Sequence, residues 1–343
     1  MIAPMQWMIY GANGYTGALI AREAVGRGHR PVLAGRDAEK IEPLAKELGC
    51  ETRAFGLDAI DLRGVALVLH CAGPFTITSA PMVQACLRGG VHYVDITGEI
   101  PVFESILARD AEAKRSGVTL LPGAGFDVVP TDCLAAMLAE RLPDATELLL
   151  AFYTKGSSLS RGTTRTMIES IGDGGAIRRG GRIVRVPPAH DVRTIPFSCG
   201  ERMAMTIPWG DVSTAFHTTG IPNIRVYIAA PPKAIARARR LRWLLPLLKP
   251  KPVRRLLQKI AAPKSGPDDS RRAAGRVYLW GQVSNGSESR SMTMTTPEGY
   301  AFTIVSAVNA VERILGGVAP GAFTPAKLFG AELVSSVPGV LFS

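Results

Sequence analysis

Short apolar runs alternate with amphipathic, helix-favouring segments through the first third of the chain. Trp7–Tyr10, Arg30–Ala34, Glu51–Phe55, Ala66–Cys71, His92–Ile96 and Val118–Leu121 read as six strands. Helices are expected over Tyr15–Gly26, Ala38–Leu48, Pro81–Arg88 and Val102–Ser116. Near-continuous apolar strands separated by helices belong to a parallel sheet covered on both faces, which predicts a doubly wound α/β domain. The second half lacks this alternation. Strands are read at Glu147–Tyr153, Arg182–Val186, Val192–Phe197, Arg202–Ile207 and Asn223–Ala229, with a helix over Thr163–Ile171. Val277–Ser284 and Glu288–Thr295 flank Asn285-Gly286, a tight-hairpin signal. This pattern predicts an α+β domain. The expected division is 1–130, 131–298 and a C-terminal segment 299–343.

The first strand runs into Gly11-Ala12-Asn13-Gly14-Tyr15-Thr16-Gly17. Three glycines spaced three apart between a strand and a helix allow a tight turn, close backbone approach to a pyrophosphate, and helix N–H groups directed at its oxygens. The fold class is therefore Rossmann-type, and the ligand a dinucleotide. An NAD enzyme carries an acidic residue about 20 residues on, for the ribose 2′-OH. Here the second strand ends in Gly35-Arg36, with Lys40 one helical turn later. A guanidinium at that tip suits a 2′-phosphate, which favours NADP. Ligands of such sheets lie beyond the C-terminal strand ends. That nominates Asp58 after strand three, Ala72-Gly73-Pro74-Phe75 after strand four, Thr97 after strand five and Gly123–Asp127 after strand six.

Charge and composition narrow the class further. The net charge of +11 is concentrated: Lys233–Lys264 holds eleven of the 40 Lys and Arg and none of the 29 Asp and Glu. Within 233–264, Ile235, Trp243 and several leucines are interleaved with the arginines, giving a basic amphipathic helical insert. It suits an anionic membrane surface, an acidic carrier protein or an apolar substrate, and equally a solvated helical hairpin. Nucleic acid is not expected, because Trp243 is the lone aromatic there and bases need stacking platforms. Five widely spaced cysteines without a C-x-x-C pair, and five scattered histidines, predict free thiols, a reducing cytoplasmic setting and no metal. The first strand begins too early for a leader peptide, and no apolar run is long enough to cross roughly 30 Å of hydrocarbon. A soluble enzyme, peripheral to the membrane at most and compatible with a homodimer, is the expectation.

Several motifs together resemble the saccharopine dehydrogenase-like oxidoreductases, in a branch that includes the trans-acting enoyl reductases. They are Gly-Ala-Asn-Gly-Tyr-Thr-Gly at 11–17, Ala-Gly-Pro-Phe at 72–75, His-Tyr-Val-Asp-Ile-Thr-Gly-Glu at 92–99, Gly-Phe-Asp-Val-Val-Pro-Thr-Asp at 125–132 and Thr-Pro-Ala-Lys-Leu-Phe-Gly at 324–330. The resemblance implies an NADP-binding first domain, a second α+β domain that holds substrate, and a C-terminal segment, 299–343, that packs back on the first domain. The sequence departs from the family at Thr78-Ser79, where a Tyr-Gly pair is common. Hydride transfer to an enoyl or imine carbon needs a proton source, and Asp127, Tyr93 and Asp95 are the candidate catalytic residues, with Asp132 nearby. Asp127 could instead cap the helix beginning near Pro130, and Asp95 could bond loop amides. The leading expectation is an NADPH-dependent reductase of a hydrophobic acyl, polyketide or isoprenoid-like substrate. The alternatives are a saccharopine-type dehydrogenase on an amino-acid adduct and a non-catalytic NADP-binding, membrane-associated protein.

Overall fold

The computed structural model describes residues 6–343 apart from 158–159, 161, 163, 165–167, 169–173, 242–249, 251–252, 254–256 and 258–265. Two compact units emerge: residues 1–126 with 302–325, and residues 127–301 with 326–343.

The first unit contains β1 (Trp7–Tyr10), α1 (Tyr15–Gly26), β2 (Val32–Gly35), α2 (Ala38–Leu48), β3 (Thr52–Ala54), β4 (Leu67–His70), α3 (Phe75–Gly89), β5 (His92–Asp95), α4 (Ile100–Leu107), α5 (Asp110–Ser116) and β6 (Thr119–Leu121). The strands pair in parallel in the order β3-β2-β1-β4-β5-β6, and Gly321–Ala322 adds a seventh strand beside β6. This is the dinucleotide-binding strand order, whose direction of winding reverses between β1 and β4. Alternate residues serve opposite faces. Met8 and Tyr10 join a cluster with Val68, Tyr93 and Leu120, while Trp7, Ile9, Leu67 and Leu69 are also buried. Each such side chain contributes about 1.5–3 kcal/mol on leaving water, which is why all four residues of β1 are apolar.

Helix α3 starts six residues before the expected Pro81 and carries that proline inside it. A distant side chain explains the early start: Glu99 accepts the N–H groups of Phe75 and Thr76, both at 2.8 Å. The expected helix over 102–116 is two helices, α4 and α5.

The second unit opens with α6 (Val129–Arg141) and β7 (Glu147–Lys155). Then follow β8 (Gly175–Arg179), β9 (Arg182–Val186), β10 (Val192–Phe197), β11 (Gly200–Thr206), α7 (Asp211–Thr219), β12 (Asn223–Ala229), α8 (Pro232–Leu241), α9 (Asp269–Ala274), β13 (Arg276–Ser284), β14 (Ser289–Pro297) and the start of α10 (Gly299–Leu315). The sheet runs β10-β11-β12-β7-β13-β14-β16, where β15 is the Gly321–Ala322 strand of the first unit and β16 is Leu341–Phe342. Only β12 and β7 in this path run parallel. Helix α6 lies so close to the sheet that a Cβ at Gly281 would sit 2.6 Å from Leu138 Cδ1 and 3.1 Å from Leu134 Cδ2. Trp280, on the opposite face, joins Leu149, Phe197 and Tyr227. The β13–β14 connection is a four-residue loop rather than a two-residue turn: Asn285 Oδ1 accepts the N–H groups of Ser287 and Glu288, and Gly286 takes φ +97°.

The C-terminal segment divides between the units. Residues 302–325 group with the first, but 326–343, expected to accompany them, belong to the second. Ala326 N–H donates to Asp132 Oδ2 at 2.9 Å, and Leu341–Phe342 pairs with β14. The helix expected over 163–171 and most of the basic insert fall outside the described residues. Among the described residues no helix is long and apolar enough to cross a membrane, no acidic, histidine or cysteine cluster suits a metal, and all five cysteines are free.

Candidate functional site

The glycine turn has the geometry its sequence implies. Gly11 adopts φ +88°, and a Cβ there would lie 2.9 Å from Ala72 Cβ. At Gly17 a Cβ would lie 2.4 Å from Gly11 O and 3.1 Å from Ala12 Cα. One glycine makes the turn and the other lets α1 pack against it. Gly14 occupies the N-cap of α1 and offers no side-chain cap, and both Asn13 and Gly14 are exposed. Tyr15 and Thr16, half-buried, form the first turn of α1. Bare glycine backbone at a helix start is the cradle that a pyrophosphate fits.

At the end of β2, Arg36 is exposed and pairs with no carboxylate among the described residues. Burial raises the pKa of the neighbouring Tyr10 hydroxyl, Arg36 opposes the rise and Asp58 adds to it, so both charges stand near the C-terminal end of β1. Lys40 stands differently. It is ion-paired with Asp37, whose carboxyl is held below its usual range mainly by that hydrogen bond. Asp37, overlooked in the sequence because Arg36 drew the reading, thus offsets the second charge expected at a 2′-phosphate.

After β4, Gly73–Pro74 is a cis peptide and Ala72 packs under Gly11. Thr78 Oγ1 donates to Ala72 O at 2.7 Å and is met by His70 Nε2 at 2.9 Å. Because the hydroxyl proton goes to the carbonyl, the imidazole carries its proton on Nε2. His70 is fully buried, its Nδ1 has no hydrogen-bond partner, and burial holds its pKa at about 3. Its ring is stacked 5.4 Å from Tyr10 and edge-on to Phe75 at 5.5 Å. Thr78, the departure from the family pattern, therefore holds the Ala72–Phe75 loop in shape.

Three residues expected to act on cofactor or substrate are instead consumed by this scaffold. Asp95 is fully buried; Oδ1 accepts Thr97 N–H at 3.0 Å and Gly123 N–H at 2.8 Å, and Oδ2 accepts the Tyr93 hydroxyl at 2.8 Å. Burial pushes Asp95 up to about 6 even so, and raises Tyr93 well above its usual value. Tyr93 is fully buried with its hydroxyl committed. Thr97, also fully buried, accepts Glu99 N–H on Oγ1 at 3.1 Å. Asp95, Thr97 and Glu99 form one relay that ties the loop after β5 to the start of α3 and to Gly123. Glu99 gave no local sign in the sequence, because its partners lie 23 and 24 residues away.

The loop after β6 is held by α10. Phe126 N–H donates to Thr303 Oγ1 at 2.9 Å, Ser306 Oγ donates to Ala124 O at 2.9 Å, and a Cβ at Gly125 would meet Thr303 at 2.9 Å. The next residue, Asp127, opens the second unit. It does not cap α6, whose N-cap is Val128. Asp127 is half-buried, has no hydrogen-bond partner among the described residues, and desolvation pushes its pKa up to about 6. Asp132, by contrast, accepts from Thr218 Oγ1 at 2.7 Å and from Ala326 N–H, a structural clasp. Asp211, absent from the sequence reading, starts α7 fully buried with both carboxylate oxygens unpartnered among the described residues.

Residues 7–121 match the family described as saccharopine dehydrogenase NADP binding domain. A saccharopine dehydrogenase-like oxidoreductase of Rattus norvegicus is 28% identical over 242 residues, covering 60% of this chain and 56% of that protein. A trans-acting enoyl reductase of Mycobacterium tuberculosis is 31% identical over 147 residues, covering 39% of this chain and 35% of that protein. The chain thus spans little more than half the length of the first relative. Apo saccharopine dehydrogenase (L-Glu forming) of Saccharomyces cerevisiae shares the fold, with a TM-score of 0.65 at 12% identity over 99% of both chains. The motif resemblance, the Rossmann-type α/β class and the NADP assignment are borne out by these matches.

Proposed function

We propose that this chain, whose first unit is an NADP-binding domain of the saccharopine dehydrogenase family, is an NADPH-dependent oxidoreductase that reduces an enoyl or related bond of a hydrophobic acyl, polyketide or isoprenoid-like substrate. The observation that carries the cofactor half is the glycine cradle, which a Cβ at Gly11 or Gly17 would fill, together with Arg36, which pairs with no carboxylate among the described residues. Gly11, Asn13, Gly14 and the first turn of α1 would hold the pyrophosphate, Arg36 the 2′-phosphate, and Asp58 with the Ala72–Pro74 backbone the remaining edge. When bound, NADPH supplies a hydride, which leaves the protein to orient the acceptor and deliver a proton. Asp127 is the donor in this reading: it is partly exposed, accepts no hydrogen bond among the described residues, and desolvation pushes its pKa up to about 6.

One relative is named a trans-acting enoyl reductase, and Ile77, in the first turn of α3 beside the Ala72–Phe75 loop, is 62% exposed. The described part of the basic insert, α8, buries Ile235 and sets Lys233, Arg237 and Arg240 beside the exposed Leu241, a face suited to an anionic carrier or membrane surface. A dicarboxylate adduct would want converging arginines. In the second unit Arg193 and Arg225 are held by Asp191, and Arg178 by the carbonyls of Val212 and Gly181. The test is NADPH consumption over a panel of medium-chain and long-chain enoyl thioesters against soluble amino-acid adducts. Turnover of the thioesters supports the proposal; turnover confined to the adducts replaces the substrate, and NADPH binding without consumption of any acceptor replaces the activity.

A further inference from the structure

We propose that the exposed face of α8 docks the protein on an anionic phospholipid membrane. This names one partner for a face on which the reading above leans, and the binding itself needs neither NADPH nor substrate. The helix is fixed by its inner side. Ile235 is buried, Arg239 Nε donates to Ala189 O at 3.2 Å, and α8 packs against β11. That leaves Lys233, Ala234, Ala236, Arg237, Arg240 and Leu241 exposed, the last by 41%. Lys233, Arg237 and Arg240 follow one another at helical spacing and line one surface depression with Ala236 and Leu241. None of the three cations pairs with a carboxylate among the described residues.

A helix that faces only water does not need this arrangement. Like charges one turn apart repel, and Lys233 in a first turn without a carboxylate opposes the helix dipole. At α1, α5 and α9 the protein sets a carboxylate three or four residues from a cation: Arg27 pairs with Glu23, Lys114 with Asp110 and Arg272 with Asp269. Helix α8 omits that compensation. The omission continues along the sequence. Residues 233–264 hold eleven of the 40 Lys and Arg and none of the 29 Asp and Glu, so the remainder of the chain is neutral and this segment carries the whole net charge of +11.

The complement of such a face is a surface that is anionic throughout and apolar just beneath. The exposed side of α8 holds cations and apolar side chains alone, with no hydroxyl or amide for the directional bonds of a protein interface. The sequence goes on as Arg242-Trp243-Leu244-Leu245, again cation and apolar groups only. A bilayer surface answers both kinds, lipid phosphates the cations and the acyl boundary the aromatic and aliphatic groups. Nucleic acid would answer the charge and leave the apolar residues without a counterpart.

Co-sedimentation of the full chain, without cofactor or substrate, with vesicles of phosphatidylcholine alone and of equal parts phosphatidylcholine and phosphatidylglycerol tests this. The expected result is binding to the mixed vesicles only, weakened at about 1 M salt, where the Debye length is roughly 3 Å. Each cation near an anionic surface strengthens binding about fivefold, so Arg237→Glu/Arg240→Glu should weaken it at least about 20-fold. Lys46→Glu/Arg88→Glu makes the same change in net charge at exposed helix ends of the first unit, and should bind as the unaltered protein does. The vesicle comparison on the unaltered protein stands whatever the variants do. No binding, equal binding to both vesicle types, an Arg237→Glu/Arg240→Glu protein that binds normally, or a Lys46→Glu/Arg88→Glu protein weakened as much, overturns the inference. Binding of an acidic acyl carrier protein or a DNA duplex through the same arginines, with none to vesicles, also overturns it and gives the face to that partner. Because no cofactor enters the assay, such a failure is separate from any failure of NADPH consumption.

Discussion

Asp95 and Asp127 titrate alike, both pushed up to about 6 by burial, yet the two regions use them oppositely. Asp95 is completely enclosed and accepts three hydrogen bonds, which pull its pKa down against a full desolvation cost. Asp127 is partly exposed and accepts none among the described residues, so its desolvation acts unopposed. A perturbed pKa alone therefore nominates both residues, and the hydrogen-bond inventory separates them. The first is a clamp between two loops of the nucleotide-binding unit; the second keeps its lone pairs for something that arrives.

Substitution can break that contrast. Asp127→Asn removes no hydrogen bond among the described residues and relieves the desolvation of a charge, so at pH 7 it should leave unfolding unchanged or slightly raise stability while lowering kcat about 10²- to 10⁴-fold, the range for losing a general acid. Steady-state kinetics beside urea unfolding reads both quantities, and an Asp127→Asn protein that turns over normally would return the proton-donor role to another group. Asp95→Ala should do the reverse. It strands the Tyr93 hydroxyl and the N–H groups of Thr97 and Gly123, at about 1–3 kcal/mol each, for a combined loss of about 3–9 kcal/mol in urea unfolding. Unaltered stability with lost activity would show Asp95 to be chemical after all.

His70 sharpens the comparison through pH. Its pKa in the fold, about 3, lies below the 6.5 of a free imidazole. The unfolded chain therefore takes up a proton first as pH falls. The stabilising effect of the neutral ring is complete above about pH 6.5 and declines toward pH 3, by about 3 kcal/mol between pH 7 and pH 4. Asp95 and Asp127, whose values are raised, contribute in the other direction, losing their share as pH rises through about 6. The difference between the unaltered protein and His70→Gln isolates the histidine; unfolding curves that stay a constant distance apart from pH 7 to pH 4 would refute it. The smallest effect is expected at Lys40. Already paired with Asp37, it should change NADPH affinity by less than about threefold on conversion to alanine, measured by fluorescence titration.

Much of the first unit was legible because its signals are local. The glycine spacing, the apolar strands and Arg36 each state their role within a few residues, and the observed strands fall within two residues of the expected ones at every position from β1 to β6. What stayed hidden depends on contacts across the chain. Glu99 starts α3 from more than twenty residues away, which is why Pro81 looked like the first turn. Thr97 and Tyr93 looked like site residues because they lie at a strand's C-terminal end, where only burial reveals that they face inward. For Asp127 the spacing to Pro130 left a helix cap open beside a catalytic role, and only the backbone shows the cap at Val128. Asp211 belongs to a helix whose sequence carries no motif, so its enclosure against α6 could not be foreseen. The division of the tail likewise turns on one acceptor, Asp132.

The central claim is that the first unit holds NADP through the glycine cradle and reads its 2′-phosphate with Arg36. Titration of the unaltered protein and of Arg36→Ala with NADPH and NADH, at one ionic strength, tests it. The account predicts that NADPH binds at least about tenfold more tightly than NADH, and that Arg36→Ala abolishes the preference by weakening NADPH about 10- to 100-fold with NADH unchanged. Equal affinity for the two in the unaltered protein, or a substitution that weakens both alike, would contradict it.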